Sequence, residues 1–145
     1  MTVAYPVIFT EVETNILIEV PDLGIVTEAN SEGKKKGTMT DAIMMARDAI
    51  GLTCITAEDD GKIPAQPSTI SSVDPAKGSF ADAGKGFVSL VDVDLTEYRR
   101  RVDNKAVRRN VTLPNWLNVE AEKAHINVSK TLQEALMAKL EISTS

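Results

Sequence analysis

Arg108, Asn110 and Thr112 alternate along a short segment, Val107-Arg108-Arg109-Asn110-Val111-Thr112-Leu113, that Pro114 stops. In an extended backbone, alternate residues share a face, so these three point one way while Val111 and Leu113, with Val107 more loosely, point the other. The polar trio suits base edges: arginine matches guanine, asparagine matches adenine, and threonine meets a base edge or the methyl group of thymine. Arg109 falls on the apolar side of that count, where a hydrophobe would be usual, and is expected to snorkel towards phosphate.

Two helical patterns follow, split by His125-Ile126-Asn127. Pro114 suits the first helical position, where its missing N–H costs nothing. Trp116 or Leu117, with Ala121 and Ala124, supply that helix's apolar side. Asn127 is a good N-cap for the second helix, and Val128, Leu132, Ala135, Leu136 and Leu140 form a stripe at helical spacing. One strand and two short helices cannot enclose a core alone. Together they are one half of a ribbon-helix-helix (β-α-α), in which two chains pair their strands into a ribbon that lies in a DNA groove. In that arrangement the second helix rests its N-terminal amides on a phosphate, a contact that falls here to Asn127, Val128, Ser129 and Lys130. The same residues would also serve dimerisation without DNA.

Enzymatic chemistry has little to work with. Asp92 and Asp94 share one strand face, and Glu19 or Asp22 is imaginable nearby as a further magnesium ligand. Yet the face opposite Val91 and Val93 should be polar on any half-buried strand. One histidine, His125, and one cysteine, Cys54, leave no zinc site, no Ser/His/Asp set and no intramolecular disulfide. Cys54 sits in an apolar stretch and reads as a small buried hydrophobe. A non-enzymatic protein without a cofactor or metal is expected.

Charge divides the chain. Residues 1–98 carry seven Lys/Arg against sixteen Asp/Glu, a net −9, and residues 99–145 carry nine against five, a net +4, giving −5 in all. Six basic residues fall between Arg99 and Arg109 with only Asp103 opposing them. An acidic module joined to a nucleic-acid-binding one fits that asymmetry. The expected organisation is a domain over 1–98, a linker over 99–106 and the ribbon-helix-helix over 107–145. With 145 residues and 43% hydrophobic content there is enough for a core. No apolar run reaches a membrane span, and the N-terminus lacks the basic start and apolar stretch of a signal peptide, so a cytoplasmic location is expected.

In the acidic part, residues 3–10 read as a strand in which Pro6 favours an edge position or the strand start. Ile16–Val20 is a second strand, and Ile25-Val26-Thr27 a short third. Asn30–Gly37, with Lys34-Lys35-Lys36, is a polar loop. Thr40-Asp41 opens a helix with apolar residues at Ala42, Ile43, Met45, Ala46, Ala49, Ile50 and Leu52, and Glu58-Asp59-Asp60-Gly61 ends it. Gly51 weakens that pattern. Residues 62–86, with three prolines, read as a loop long enough that part of it should dock. Phe87–Asp94 is another strand, and Thr96–Asn104 a connection. The order is β-β-β-α-β, an α+β layer of one sheet covered by one helix.

Four motifs in this order resemble the HicB antitoxins: Tyr5-Pro6-Val7-Ile8-Phe9, Pro21-Asp22-Leu23-Gly24, Asp41-Ala42-Ile43, and Asp59-Asp60-Gly61-Lys62-Ile63-Pro64-Ala65-Gln66-Pro67-Ser68. With the C-terminal module the resemblance covers nearly the whole chain. A longer, more basic Asn30–Gly37 loop and an apparent insertion over 69–86 depart from the family pattern. The resemblance implies a partial RNase H-like domain without nuclease activity that binds and blocks a HicA-type mRNA interferase toxin. The toxin itself would have a double-stranded-RNA-binding-like fold. The C-terminal module would form a homodimer or higher homo-oligomer and bind operator DNA of its own operon. The acidic surface of 1–98 suits a partner that is basic because it binds RNA. A non-enzymatic RNA-binding or transcriptional regulator without a toxin partner is the alternative.

Overall fold

The period-two segments become a sheet. β1 (Thr2–Glu11), β2 (Ile16–Val20), β3 (Ile25–Glu28) and β4 (Gly86–Asp94) pair antiparallel in the order β3-β2-β1-β4. They belong to a computed structural model that describes residues 1–30 and 36–142. On one face Tyr5, Val7 and Phe9 of β1, Ile16, Ile18 and Val20 of β2, and Val91 and Val93 of β4 are buried. Onto them α1 (Met39–Asp59) lays Ala42, Ala46, Ile50, Cys54 and Ile55. The element order is the expected β-β-β-α-β, and Cys54 is a fully buried member of the core.

Thr38, rather than Thr40, caps α1. Its hydroxyl accepts from the Asp41 amide at 3.1 Å while the Asp41 carboxylate accepts from the Thr38 amide at 2.8 Å, two orphan donors satisfied reciprocally. That bond from the Thr38 backbone holds the Asp41 carboxyl below the usual carboxylate range. At the other end Gly61 takes φ +72°, the left-handed position anticipated for it.

Pro6 sits in an interior strand, contrary to a simple edge assignment, yet in the half of it that behaves as an edge. β1 pairs with β4 from Thr2 to Thr10, but with β2 only from Ile8 onwards. Pro6 lies opposite Leu90 and beyond the last residue that β2 matches, so its missing donor is not needed in that ladder.

The connection over 62–85 docks, as its length predicts. Tyr5 Oη donates to the Ala65 carbonyl at 2.6 Å. The Asp22 carboxylate accepts from both the amide and the hydroxyl of Ser68, at 2.8 and 2.6 Å. The Glu19 carboxylate does the same for Ser79, at 2.9 and 2.6 Å. Three of the four motifs quoted above meet here: Tyr5, Asp22 and the Ala65–Ser68 stretch fasten one another. Of the polar loop, Lys36 pairs with Glu11 at 2.8 Å; Lys34 and Lys35 lie outside the described residues.

The connection expected over Thr96–Asn104 is largely a helix, α2 (Leu95–Val102). Asp94 caps it, accepting from the amides of Thr96 and Glu97, and Leu95 and Tyr98 are buried against the core. Gly51, which looked like a flaw in α1, makes this packing possible: a Cβ there would lie 2.6 Å from the Tyr98 ring. The chain therefore divides into a first unit of Met1–Lys105 and a second of Ala106–Ser145, later than the expected boundary at 98, because α2 completes the first.

In the second unit, α3 (Asn115–Lys123) and α4 (Val128–Lys139) are separated by the expected break, with His125 at φ +55°. Pro114 stands at the N-cap of α3, one residue ahead of its expected place. Among the described residues, no helix of the chain is long and apolar enough to cross a membrane.

Candidate functional site

Residues 103–114 have neither helix nor strand pairing, so the strand expected over 107–113 is not formed within the single chain. The physical reason is that a ladder needs a second strand, and this unit contains no other candidate for one. Arg108, Asn110 and Thr112 lie on this segment and are all exposed. Asn127, Val128, Ser129 and Lys130 form the start of α4, where the Asn127 side chain accepts from the Lys130 amide at 3.0 Å. That bond satisfies one of the first-turn donors and leaves those of Val128 and Ser129 without an intrahelical acceptor.

No described residue of the second unit is buried. Its apolar side chains stand in water: Val111 is 54% exposed, Trp116 68%, Leu136 53% and Leu140 66%. Leu132 and Leu136, one turn apart on α4, are the stripe read from spacing, here without a covering surface.

Charge is also redistributed. Arg99 is committed to the first unit, reaching Glu58 at 3.2 Å and Asp59 at 3.0 Å. Arg100 pairs with Glu97, and the Arg101 guanidinium lies 5.4 Å from the centre of the Tyr98 ring. Counted by unit, residues 1–105 hold eleven Lys/Arg against seventeen Asp/Glu, a net −6, and residues 106–145 hold five against four, a net +1. The basic character of the second unit is thus a matter of where Arg108, Arg109 and Lys130 sit, not of its total.

In the first unit, the two carboxylates considered for a metal are employed otherwise. Asp92 accepts from Arg47 at 3.0 Å, and Asp94 caps α2. Among the described residues no three of His, Cys, Asp and Glu gather as a metal site. Arg47, Asp92, Asp94 and Tyr98 contribute to a cleft of about 790 Å³ between α1, β4 and α2. The Tyr98 hydroxyl donates to Asp48 at 2.9 Å. Burial, and that neighbouring carboxylate, push its phenol up to about 12. Burial likewise pushes Tyr5 up to about 12.

Sequence reasoning missed α2, although Leu95, Tyr98 and Val102 fall on one helical face after a capping aspartate, a legible signal. The Asp22–Ser68 and Glu19–Ser79 clamps had no such signal, since residues about 46 and 60 apart meet only once the sheet exists.

The model of the HicB-like antitoxin of bacterial toxin-antitoxin systems matches residues 5–140. A solved toxin-antitoxin complex from Streptococcus pneumoniae contains a chain that is 25% identical and superposes with a TM-score of 0.58, covering 96% of this chain and 99% of that one. The crystal structure of the antitoxin HicB of Burkholderia pseudomallei is 24% identical, with a TM-score of 0.49 over 96% of this chain and 97% of that one. No curated protein matches the sequence.

Proposed function

This chain belongs to the HicB-like antitoxins of bacterial toxin-antitoxin systems, and on that premise we propose that its first unit binds and blocks a HicA-type ribonuclease toxin while its second unit dimerises and binds the operator of its own operon. The family match over 5–140 carries the antitoxin half. The exposed apolar side chains from Val107 to Leu140 carry the other half. A helix pair that buries nothing of its own must find its core elsewhere, and a second copy offers the same stripe in return.

In the proposed dimer the 107–113 segments of two copies pair into a ribbon, each supplying the ladder partner the other lacks. Arg108, Asn110 and Thr112 then face base edges together. Val128 and Ser129 present free amides to a phosphate, Asn127 holds the turn, and Lys130 adds charge. The β-β-β-α-β layer is the partial RNase H-like domain. It acts by covering its partner rather than by chemistry, and its net −6 suits a toxin that is cationic because it binds RNA.

Co-expression tests the first half: the full chain should restore growth to cells expressing a HicA-type toxin, and continued killing with the chain shown folded would refute the antitoxin role. Binding to the upstream operator duplex, compared with a scrambled one, tests the second half.

A further inference from the structure

β4 is a long free edge. One side pairs with β1 over its whole length, from Thr2↔Asp94 to Thr10↔Gly86. The Asp92 carbonyl points the other way, since it accepts from Arg47 Nε at 3.1 Å, while Nη2 of the same guanidinium holds the Asp92 carboxylate at 3.0 Å. In an antiparallel strand the N–H and C=O of a residue point to one side, and those of its neighbours to the other. Val88 and Leu90 therefore also turn their main-chain groups outward. The pairing of Leu90 with Pro6, which has no N–H to give, agrees with this phase.

Arg47 blunts the Asp92 end of the edge. Among the described residues no hydrogen bond reaches the outward amides of Val88 and Leu90, and the Leu90 carbonyl meets only the Ser89 hydroxyl, at 3.4 Å. The Leu90 side chain is 53% exposed and that of Phe87 47%. Folded proteins normally shield such an edge, because a row of unpaired amides and carbonyls is complementary to one thing, another extended strand.

We propose that the toxin docks by adding a strand to the Gly86–Leu90 end of the β4 edge. This rests on the antitoxin role proposed above and names the surface that performs it. A second copy of this chain fits less well. It would bring two units of net −6 edge to edge, whatever the register. A strand from a different protein need engage only the open end, and the acidic excess of this unit favours a cationic one.

The experiment uses the full chain and a catalytically inactive HicA-type toxin. Amide hydrogen exchange is followed at Val88 and Leu90, free and in complex. Both amides should slow in the complex; unchanged exchange at both, in a complex that forms, overturns the strand addition. Leu90→Pro removes one outward donor and none of the bonds to β1, so it should weaken toxin binding by at least about tenfold. Leu90→Ala, which keeps the donor, should weaken it less, and both should bind the operator as the parent does. A folded Leu90→Pro variant with the parent's toxin affinity also overturns the proposal. If the parent chain binds no toxin, the antitoxin role itself fails. If it binds with the β4 amides unprotected, only the docking mode fails.

Discussion

Val7, Phe9, Ile18 and Ile50 of the first unit are sealed from solvent, whereas Leu132, Leu136 and Leu140 of the second are 36%, 53% and 66% exposed. Both sets of residues follow the spacing of their elements equally well. The difference lies in what the chain brings opposite them. A four-stranded sheet and a 21-residue helix give each other's apolar faces a partner, while two helices of nine and twelve residues do not. One unit buries its apolar face within itself; the other leaves its apolar face exposed. That asymmetry suits a protein with two proposed tasks, since the toxin-binding part needs only itself and the DNA-binding part needs a copy.

The most disruptive way to break this comparison is Leu136→Asp. A dimer would carry two such changes, each placing a charge where a leucine worth about 1.5–3 kcal/mol was to be buried. Sedimentation should show monomers, and operator binding should vanish. The first unit should still melt as before, because Leu136 is not part of its core. A dimer that survives this change would locate self-association on another surface.

Ile50→Ala is the opposite case. Ile50 is fully buried between α1 and the sheet, so the change should cost about 2–5 kcal/mol of the first unit's stability. Denaturant titration of the variant, followed by tyrosine fluorescence, measures it; the only tryptophan, Trp116, lies in the other unit. Self-association at temperatures where the first unit stays folded should be unchanged.

Gly51→Ala tests how α2 completes the first unit. In a solvent-facing helix position alanine would gain up to about 1 kcal/mol over glycine. Here its Cβ would meet the Tyr98 ring at 2.6 Å, so a net loss of about 1–3 kcal/mol is expected. The ring's displacement has a second readout. Both tyrosines of the chain are buried in the first unit with phenols raised to about 12. The stability gained by keeping them neutral is fully present below the unfolded value near 10 and is lost as pH rises through about 12. Absorbance at 295 nm should show little tyrosinate in the folded parent at pH 11, and Gly51→Ala should move one phenol of the two back towards its ordinary value.

These sites also mark what the sequence disclosed. The strands, α1, the αL glycine at its end and the helix break at His125 were legible, because each depends on short-range spacing or on a local turn. The 62–85 strap was foreseen only as a segment that should dock, since Asp22 and Glu19 find Ser68 and Ser79 through the sheet. α2 escaped because charge dominated the view of it: Arg99, Arg100 and Arg101 resembled a basic arm for nucleic acid, yet Arg99 binds Glu58 and Asp59 of the first unit. The 107–113 segment has the alternation of a strand, but the single chain gives it no partner and leaves it unpaired.

With the arginines of α2 held in the first unit, the proposed DNA recognition has to come from position rather than bulk charge, and the smallest expected effects decide it. Arg108→Ala and Asn110→Ala should each cost about 1–3 kcal/mol at the operator and change affinity for a scrambled duplex little, because a lost base contact matters only where the right base is present. Lys130→Ala, at the first turn of α4, should weaken both duplexes alike and reduce the salt dependence of binding by about one unit of slope, the release of one condensed counterion per phosphate contact. Toxin neutralisation should persist in all three, since these residues lie outside the first unit. Titrations of operator and scrambled duplex at several salt concentrations check it. Equal losses on both duplexes for Arg108→Ala and Lys130→Ala would reduce the ribbon to an electrostatic handle. No loss in either would leave the exposed stripe of α4 as a dimerisation surface alone.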